Sequence, residues 1–392
     1  MKITWVNFLH AYQPPWQTNR TLSQVVDQCY AKLFQFALRY PDFRFTLNIS
    51  GCLTDLLIQG PHRCVIDLIC ELVERKQVEL TGSAKYHPIL PLLSPYHRKR
   101  QIQEQDAVCK KVFGSYYAPK GFYLPEMAVD QDVLNLIRDL GFEWVILDEI
   151  SACDRIDKQV QYYTPQGLKV LFRDRSISKT YVPRTLMNKL SKTSNQETVF
   201  ITATDAELYG HHHTDYEKVL DELVSHSGLK MSTCSDYLDS LKTQKKINIQ
   251  TSSWESTHED LQRKTPFALW RDSKNRLHRR LWGFVDKVAL ILEQYKEDPN
   301  HYWARKHFDR GMASCTFWWC SSRKPGVFSP ITWHPEEIER GLLELIKAVR
   351  SLKSLSRFKK IRFEGEYFNI QHLIWKIHWS EKESRIKRFR GY

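Results

Sequence analysis

Two carboxylates stand out by what precedes them. Glu126 follows the apolar run Gly121–Leu124, and Asp205 follows Val199–Thr204, one of the most apolar stretches of the chain. A pair of carboxylates brought together can work at a glycosidic carbon, one attacking it while the other protonates the departing oxygen. Other polar side chains occupy comparable places. His10 and Gln13 follow Ile3–Leu9, His87 lies in the loop from Tyr86 to Pro91, and Glu207 stands two residues beyond Asp205. Blander roles stay open for each. A Glu after an apolar run is commonly a solvated loop residue, Asp205 suits the N-cap of a helix starting at Ala206, and His10 would serve as a buried, hydrogen-bonded core residue. Trp254 offers either a flat face for a sugar or a core side chain. The triplet His211-His212-His213 invites a metal reading, but consecutive residues cannot easily turn three imidazoles onto one ion. No metal and no cofactor are expected.

The elements that must position these groups alternate along the first 250 residues. Strand-like runs occur at Ile3–Leu9, Phe43–Ile49, Gln77–Leu80, Gly121–Leu124, Trp144–Leu147 and Thr198–Thr202, with a weaker one at Ile247–Gln250. Helical patterns cover Leu22–Tyr40, His62–Arg75, Tyr96–Phe113 and Gln131–Leu140 between them. Such alternation predicts βαβ units and a parallel sheet, open or closed into a barrel. In a barrel, residues just past the strand ends converge on one rim, where active sites are built. Gln159–Phe172 reads as a hairpin around Pro165-Gln166-Gly167, an excursion from the repeat. Beyond about residue 260 the pattern turns helical, at Pro266–Tyr295, Asn300–Trp319 and, most clearly, Pro335–Leu352, whose Ile338, Leu342, Leu345, Ile346, Val349 and Leu352 share a face.

Several of these stretches resemble the motifs of glycoside hydrolase family 57. His10-Ala11-Tyr12-Gln13-Pro14-Pro15 is similar to its HxxQPP motif, and Phe122-Tyr123-Leu124-Pro125-Glu126-Met127-Ala128 to its nucleophile motif. Asp205-Ala206-Glu207-Leu208-Tyr209-Gly210-His211 resembles its acid/base motif, while His87-Pro88-Ile89-Leu90-Pro91, Ser253-Trp254-Glu255 and Phe317-Trp318-Trp319 match further stretches in order. The resemblance spans roughly residues 1–350. It implies a (β/α)7 barrel, an incomplete TIM-like barrel, followed by a C-terminal helical region. It also implies retaining chemistry on α-glucans by α-amylase, 4-α-glucanotransferase or branching types. In it Glu126 is the nucleophile and Asp205 the proton donor; as candidates for substrate binding we take His10, Gln13, His87, His211 and Trp254, with Glu207 orienting its neighbours or binding a hydroxyl. Two departures touch the pocket: Met127 stands where many members carry Cys, and His212-His213 where branching enzymes carry Trp.

The expected organisation is a catalytic barrel over residues 1–255, a helical domain packed on it over 256–352, and a basic, aromatic-rich extension over 353–392. Alternatives from other classes are a metal-dependent polysaccharide deacetylase on a related barrel, and a non-catalytic carbohydrate- or nucleic-acid-binding protein. The composition narrows the choice. Hydrophobic residues make up 42% of the 392, enough for a sizeable core. The net charge of +13 would suit nucleic acid, yet eleven basic and four acidic side chains lie from Lys353 onward, leaving only +6 for the rest. The charge therefore belongs to the tail, and nucleic acid is disfavoured as partner against an oligo- or polysaccharide substrate. Nine scattered cysteines without a CxxC pair point to a reducing compartment. Neither a signal-peptide pattern nor a run of about 20 apolar residues is found, so a cytoplasmic protein off the membrane is expected. The oligomeric state is left open.

Overall fold

The computed structural model describes residues 2–191, 197–210, 216–323 and 331–382. The chain divides into two compact units, residues 1–85 with 90–254, and residues 86–89 with 255–392.

Among the described residues the first unit is built on ten strands: β1 (Lys2–Ala11), β2 (Phe45–Ile49), β3 (Val78–Leu80), β4 (Gly121–Tyr123), β5 (Trp144–Asp148), β6 (Val160–Tyr163), β7 (Lys169–Arg173), β8 (Glu197–Asp205), β9 (Leu229–Ser232) and β10 (Thr243–Lys246). Seven of them close a parallel barrel. The order β3–β2–β1–β8 forms one side and β7–β5–β4 the other. Two seams join the halves. A parallel bridge pairs Gly82 with Phe122. At the other seam Asp174 N donates to Ile201 O at 2.6 Å, and Ile201 N to the Asp174 carboxylate at 2.8 Å. The strands alternate with α1 (Asn19–Val25), a π turn at Val26–Tyr30, α2 (Ala31–Arg39), α3 (Gly51–Gln59), α4 (Arg63–Glu74), α5 (Pro95–Phe113), α6 (Gln131–Asp139), α7 (Arg175–Ser178), α8 (Val182–Leu190), α9 (Tyr216–Val224) and α10 (Cys234–Ser240). This is the (β/α)7 barrel that the sequence led us to expect.

Side chains of a strand point alternately to its two faces, and that alternation divides the core. Ile3, Trp5, Leu9 and Ala11 of β1 pack outward with Phe45, Leu47 and Phe200 against the helices. Val6 and Phe8 point inward, where they meet Tyr123, Trp144, Ile146, Leu171, Ile201 and Ala203. The middle of the barrel is thus plugged by packed apolar side chains.

Three local expectations are corrected. The predicted hairpin exists, with β6 antiparallel to β7, but it is no excursion, because β7 also pairs with β5 as a barrel strand. Its turn residues hid the fact that the second arm re-enters the sheet. The run Ile247–Gln250 forms no strand; it makes an isolated antiparallel bridge, Ile249 to Ala152, while the strand lies just before it at β10. The helix expected over Asn300–Trp319 is broken into two at Met312–Ala313.

The second unit is helical, with α11 (His258–Gln262), α12 (Arg276–Gln294), α13 (His301–Gly311), α14 (Ser314–Trp318), α15 (Pro335–Ser351) and α16 (Arg357–Ile377). In α15, Glu344 accepts from His307 Nδ1 at 2.8 Å and Arg310 Nε at 3.0 Å, both on α13, and from Lys347 at 2.9 Å. Burial alone would raise its pKa, but these partners pull it down to about 2. The basic tail begins as α16, which buries Phe363, Tyr367, Ile370, Leu373 and Ile374 along one stripe. Its carboxylates bind neighbouring helices, Glu364 to Arg350 and Glu366 to Lys287. Among the described residues no helix is long and apolar enough to cross a membrane.

The barrel depends on one close approach. A Cβ on Gly121 of β4 would fall inside the indole of Trp144 on β5, and that indole is fully buried. Gly121→Ala is expected to lower stability by about 1–3 kcal/mol through overpacking. Urea unfolding followed by tryptophan fluorescence should show the first unit's midpoint falling.

Candidate active site

The same alternation that buries Val6 and Phe8 turns His10 inward at the end of β1. Opposite it, β8 pairs with β1 over nine residues, Lys2 with Glu197 through to His10 with Asp205. Asp205 therefore shares the inner face with Ile201 and Ala203, and sits beside His10 at the C-terminal rim. By the same parity β2 presents Asn48, β4 Tyr123, β5 Asp148 and β7 Arg173. Six polar or aromatic side chains thus gather at one end of the barrel.

Contacts among them are close. His10 Nδ1 lies 2.9 Å from Asn48 Oδ1, and its ring stacks on Tyr123 with centroids 4.5 Å apart. Burial lowers the His10 pKa to about 4 despite the Asn48 bond, so the imidazole is neutral at ordinary pH. The Tyr123 phenol is pushed well up, first by burial and then by the charges of Glu126 and Asp205; Arg173 opposes them and Glu207 adds to them.

Glu126 is partly buried. It lies in the turn Pro125–Met127 with φ 57° and ψ 17°, and Met127 follows at φ 47°. Left-handed backbone is uncommon for residues other than glycine and costs on the order of 1 kcal/mol or more. An extended segment holds this turn in place. Val129 and Ser252 exchange backbone hydrogen bonds at 2.8 and 3.2 Å, and Trp254 N donates to Glu126 O at 3.1 Å. Trp254 Nε1 then donates to Glu126 Oε2 at 2.7 Å. Trp254 is nearly buried, with its indole N–H aimed at Glu126.

Asp205 caps no helix. The segment after it is a single turn, Ala206–Leu208, to which its side chain gives no capping bond. Glu207, within that turn, is buried. Its Oε1 accepts from Gln13 Nε2 at 3.1 Å and from the Tyr30 hydroxyl, and Gln17 in turn donates to Gln13 at 2.8 Å. Burial raises the Glu207 pKa, with the Tyr30 and Gln13 bonds opposing; burial and the Glu207 charge keep Tyr30 a neutral donor. Gln13 and Glu207 are thus joined to each other, which fits an orienting role.

His87 belongs by its contacts to the second unit. Its Nδ1 lies 3.0 Å from Ser314 Oγ and its carbonyl accepts from Ser314 N at 3.0 Å. His211, His212 and His213 lie outside the described residues. Among the described residues no three His, Cys, Asp or Glu side chains are grouped to hold a metal ion. Sequence reasoning missed Asn48, Tyr123, Asp148 and Arg173; the strand parity would have found the first two once the barrel was assumed.

The profile of glycosyl hydrolase family 57 matches residues 3–250. The chain belongs to this family. Among curated relatives, α-amylase 1 of Dictyoglomus thermophilum is 24% identical over 226 residues, which is 55% of this chain and 32% of that protein. The 4-α-glucanotransferase of Thermococcus litoralis is 20% identical over 423 residues, 93% of this chain and 60% of that protein. This chain spans less than two thirds of either. Among solved structures, that same glucanotransferase superposes with a TM-score of 0.68 at 19% identity, over 90% of this chain and 60% of that one. The family 57 branching enzyme of Pyrococcus horikoshii gives 0.66 at 14% identity, over 95% of both chains. At these identities the structural likeness shows the fold.

The buried imidazole has a measurable consequence. Unfolded, His10 takes a proton near 6.5; folded, it resists until about 4. Its contribution is present above pH 6.5 and lost as pH falls toward 4, roughly 3 kcal/mol in all. Denaturant unfolding at pH 7 and pH 4.5 should show a shallower acid loss in His10→Gln than in the wild type.

Proposed function

We propose that the chain is a retaining enzyme acting on α-glucans, with Glu126 as nucleophile and Asp205 as general acid and base. The observation that carries this reading is a chain of contacts at the C-terminal rim: Asp205 pairs with His10, whose ring stacks on Tyr123 and lies edge-on to Trp254 with centroids 6.5 Å apart, and the Trp254 N–H donates to Glu126 at 2.7 Å. Membership of family 57 supports it.

In the first step a Glu126 oxygen attacks the anomeric carbon from the β face. The bond to the glycosidic oxygen breaks, and Asp205 gives its proton to that oxygen. A β-linked glycosyl ester and a shortened glucan result. In the second step Asp205, now ionised, takes a proton from water or from a sugar hydroxyl. That oxygen then displaces Glu126 and restores the α configuration. Carboxyl groups standing about 5–5.5 Å apart serve such a double displacement. His10, neutral and donating from Nδ1 to Asn48, presents Nε2 as an acceptor for a sugar hydroxyl beside Asp205. Gln13 and Glu207 brace the turn that carries Asp205. The relatives' names include both hydrolysis and transfer, so the acceptor is decided by products: shorter maltooligosaccharides alone mean water, longer ones mean transfer, and new 1,6 linkages mean branching.

With maltooligosaccharides as substrate, Glu126→Gln and Asp205→Asn should each lower kcat by roughly 10²–10⁴-fold, with the fold retained by circular dichroism. Turnover unchanged in either variant would overturn that residue's role.

A further inference from the structure

Behind Trp254 lies a buried cation. Arg173, at the inward end of β7, is 4% exposed, and its guanidinium sits over the Trp254 ring, 4.7 Å from the centroid. Its other contacts fix it in place. Nε donates to Asp148 Oδ2 at 2.7 Å and Nη1 to Ala203 O at 2.8 Å, tying β7 to β5 and β8. Asp148, 1% exposed, accepts on its other oxygen from Arg175 Nη1 at 2.8 Å. Two arginines thus share one carboxylate. Burying such a charge is costly, and an apolar side chain of similar size would fill the space at less cost. What the apolar side chain could not do is hold the indole electrostatically. A cation over an aromatic face is attracted to it, and it draws electron density from the ring, which makes the N–H a better donor. That N–H is the one bonded to Glu126 at 2.7 Å.

We infer that Arg173 is a positioning residue, which acts through Trp254 to hold Glu126 in its attacking orientation. This rests on the reading of Glu126 as the nucleophile. The chain of contacts runs from Asp148 to Arg173 by a charged hydrogen bond, from Arg173 to Trp254 by face contact, and from Trp254 to Glu126 by its N–H. It supports a turn whose backbone is left-handed at two successive non-glycine residues and would otherwise relax. A misplacement of about 1 Å at a reacting group costs about 10²-fold in rate, so the effect belongs to bond formation and leaves sugar affinity alone.

The test is covalent trapping of the full chain with 5-fluoro-α-maltosyl fluoride, reading both the rate constant of inactivation and its saturation by reagent. Peptide mapping of the wild type should find the label on Glu126; a label elsewhere would overturn the nucleophile assignment, and with it this inference. Given Glu126 labelling, Trp254→Phe and Arg173→Met should trap at the same residue about 10- to 100-fold more slowly, with half-saturation unchanged. Arg173→Lys should recover part of the loss. The double variant should be no slower than Trp254→Phe alone, since both changes break one chain of contacts. Multiplying effects in the double variant, an unchanged rate, or a change confined to half-saturation would each overturn the inference, the last because it marks Trp254 as a sugar platform. Should Arg173→Met fail to fold, Trp254→Phe, which keeps an aromatic ring in place, still decides whether the N–H matters.

Discussion

The parallel register between β1 and β8 is the constraint on which the site depends. It runs unbroken through nine pairs and ends on His10 opposite Asp205. Because side chains alternate, a slip of one residue would turn Asp205 out toward the helices and bring Thr204 in. The register is pinned by what lies below it. Val6, Phe8, Ile201 and Ala203 fill the barrel, while Trp5 and Phe200 fill the layer outside. A slip would reverse both sets at once. The apolar plug therefore fixes the direction in which the two rim groups point.

Above that plug the barrel mouth is polar yet closely packed, and each buried charge there is answered. Asp148 meets two arginines, and Glu207 meets Tyr30 and Gln13. Removing one partner of such a pair leaves an uncompensated buried charge, which is far worse than never having had the pair. Glu126 differs in kind. Its backbone takes a left-handed turn, and a segment more than a hundred residues away holds it by one backbone and one side-chain bond. Strain of this sort persists only where the surroundings over-determine it, and it gathers at functional sites.

Much of this is legible in the sequence. The strand-like runs ending near His10, Glu126 and Asp205 mark the barrel strands, and strand-end logic gathers their polar followers at one rim. What escapes has physical reasons. α3 is buried at Gly51, Cys52, Leu53, Thr54 and Leu57, with no polar stripe of the kind that betrays a helix. β7 is hidden inside a hairpin whose turn chemistry suggests a detour, and Arg173 is lost with it. The bond from Trp254 to Glu126 links residues 128 apart; no periodicity encodes it, and Trp254 alone reads equally well as core or platform. The tail's charge gives no hint of α16, because its basic residues crowd the exposed side of a helix that only its apolar stripe defines.

The roles of the two carboxylates can be separated by one measurement, the anomeric configuration of the glycosyl azide formed when alanine variants turn over an activated aryl α-maltoside in sodium azide. With Glu126 removed, azide should enter from the vacated β face and give the β-azide. With Asp205 removed, the glycosyl ester still forms from the activated leaving group, and azide should displace it to give the α-azide. An α-azide from Glu126→Ala, or no azide product from either variant, would contradict double displacement through Glu126.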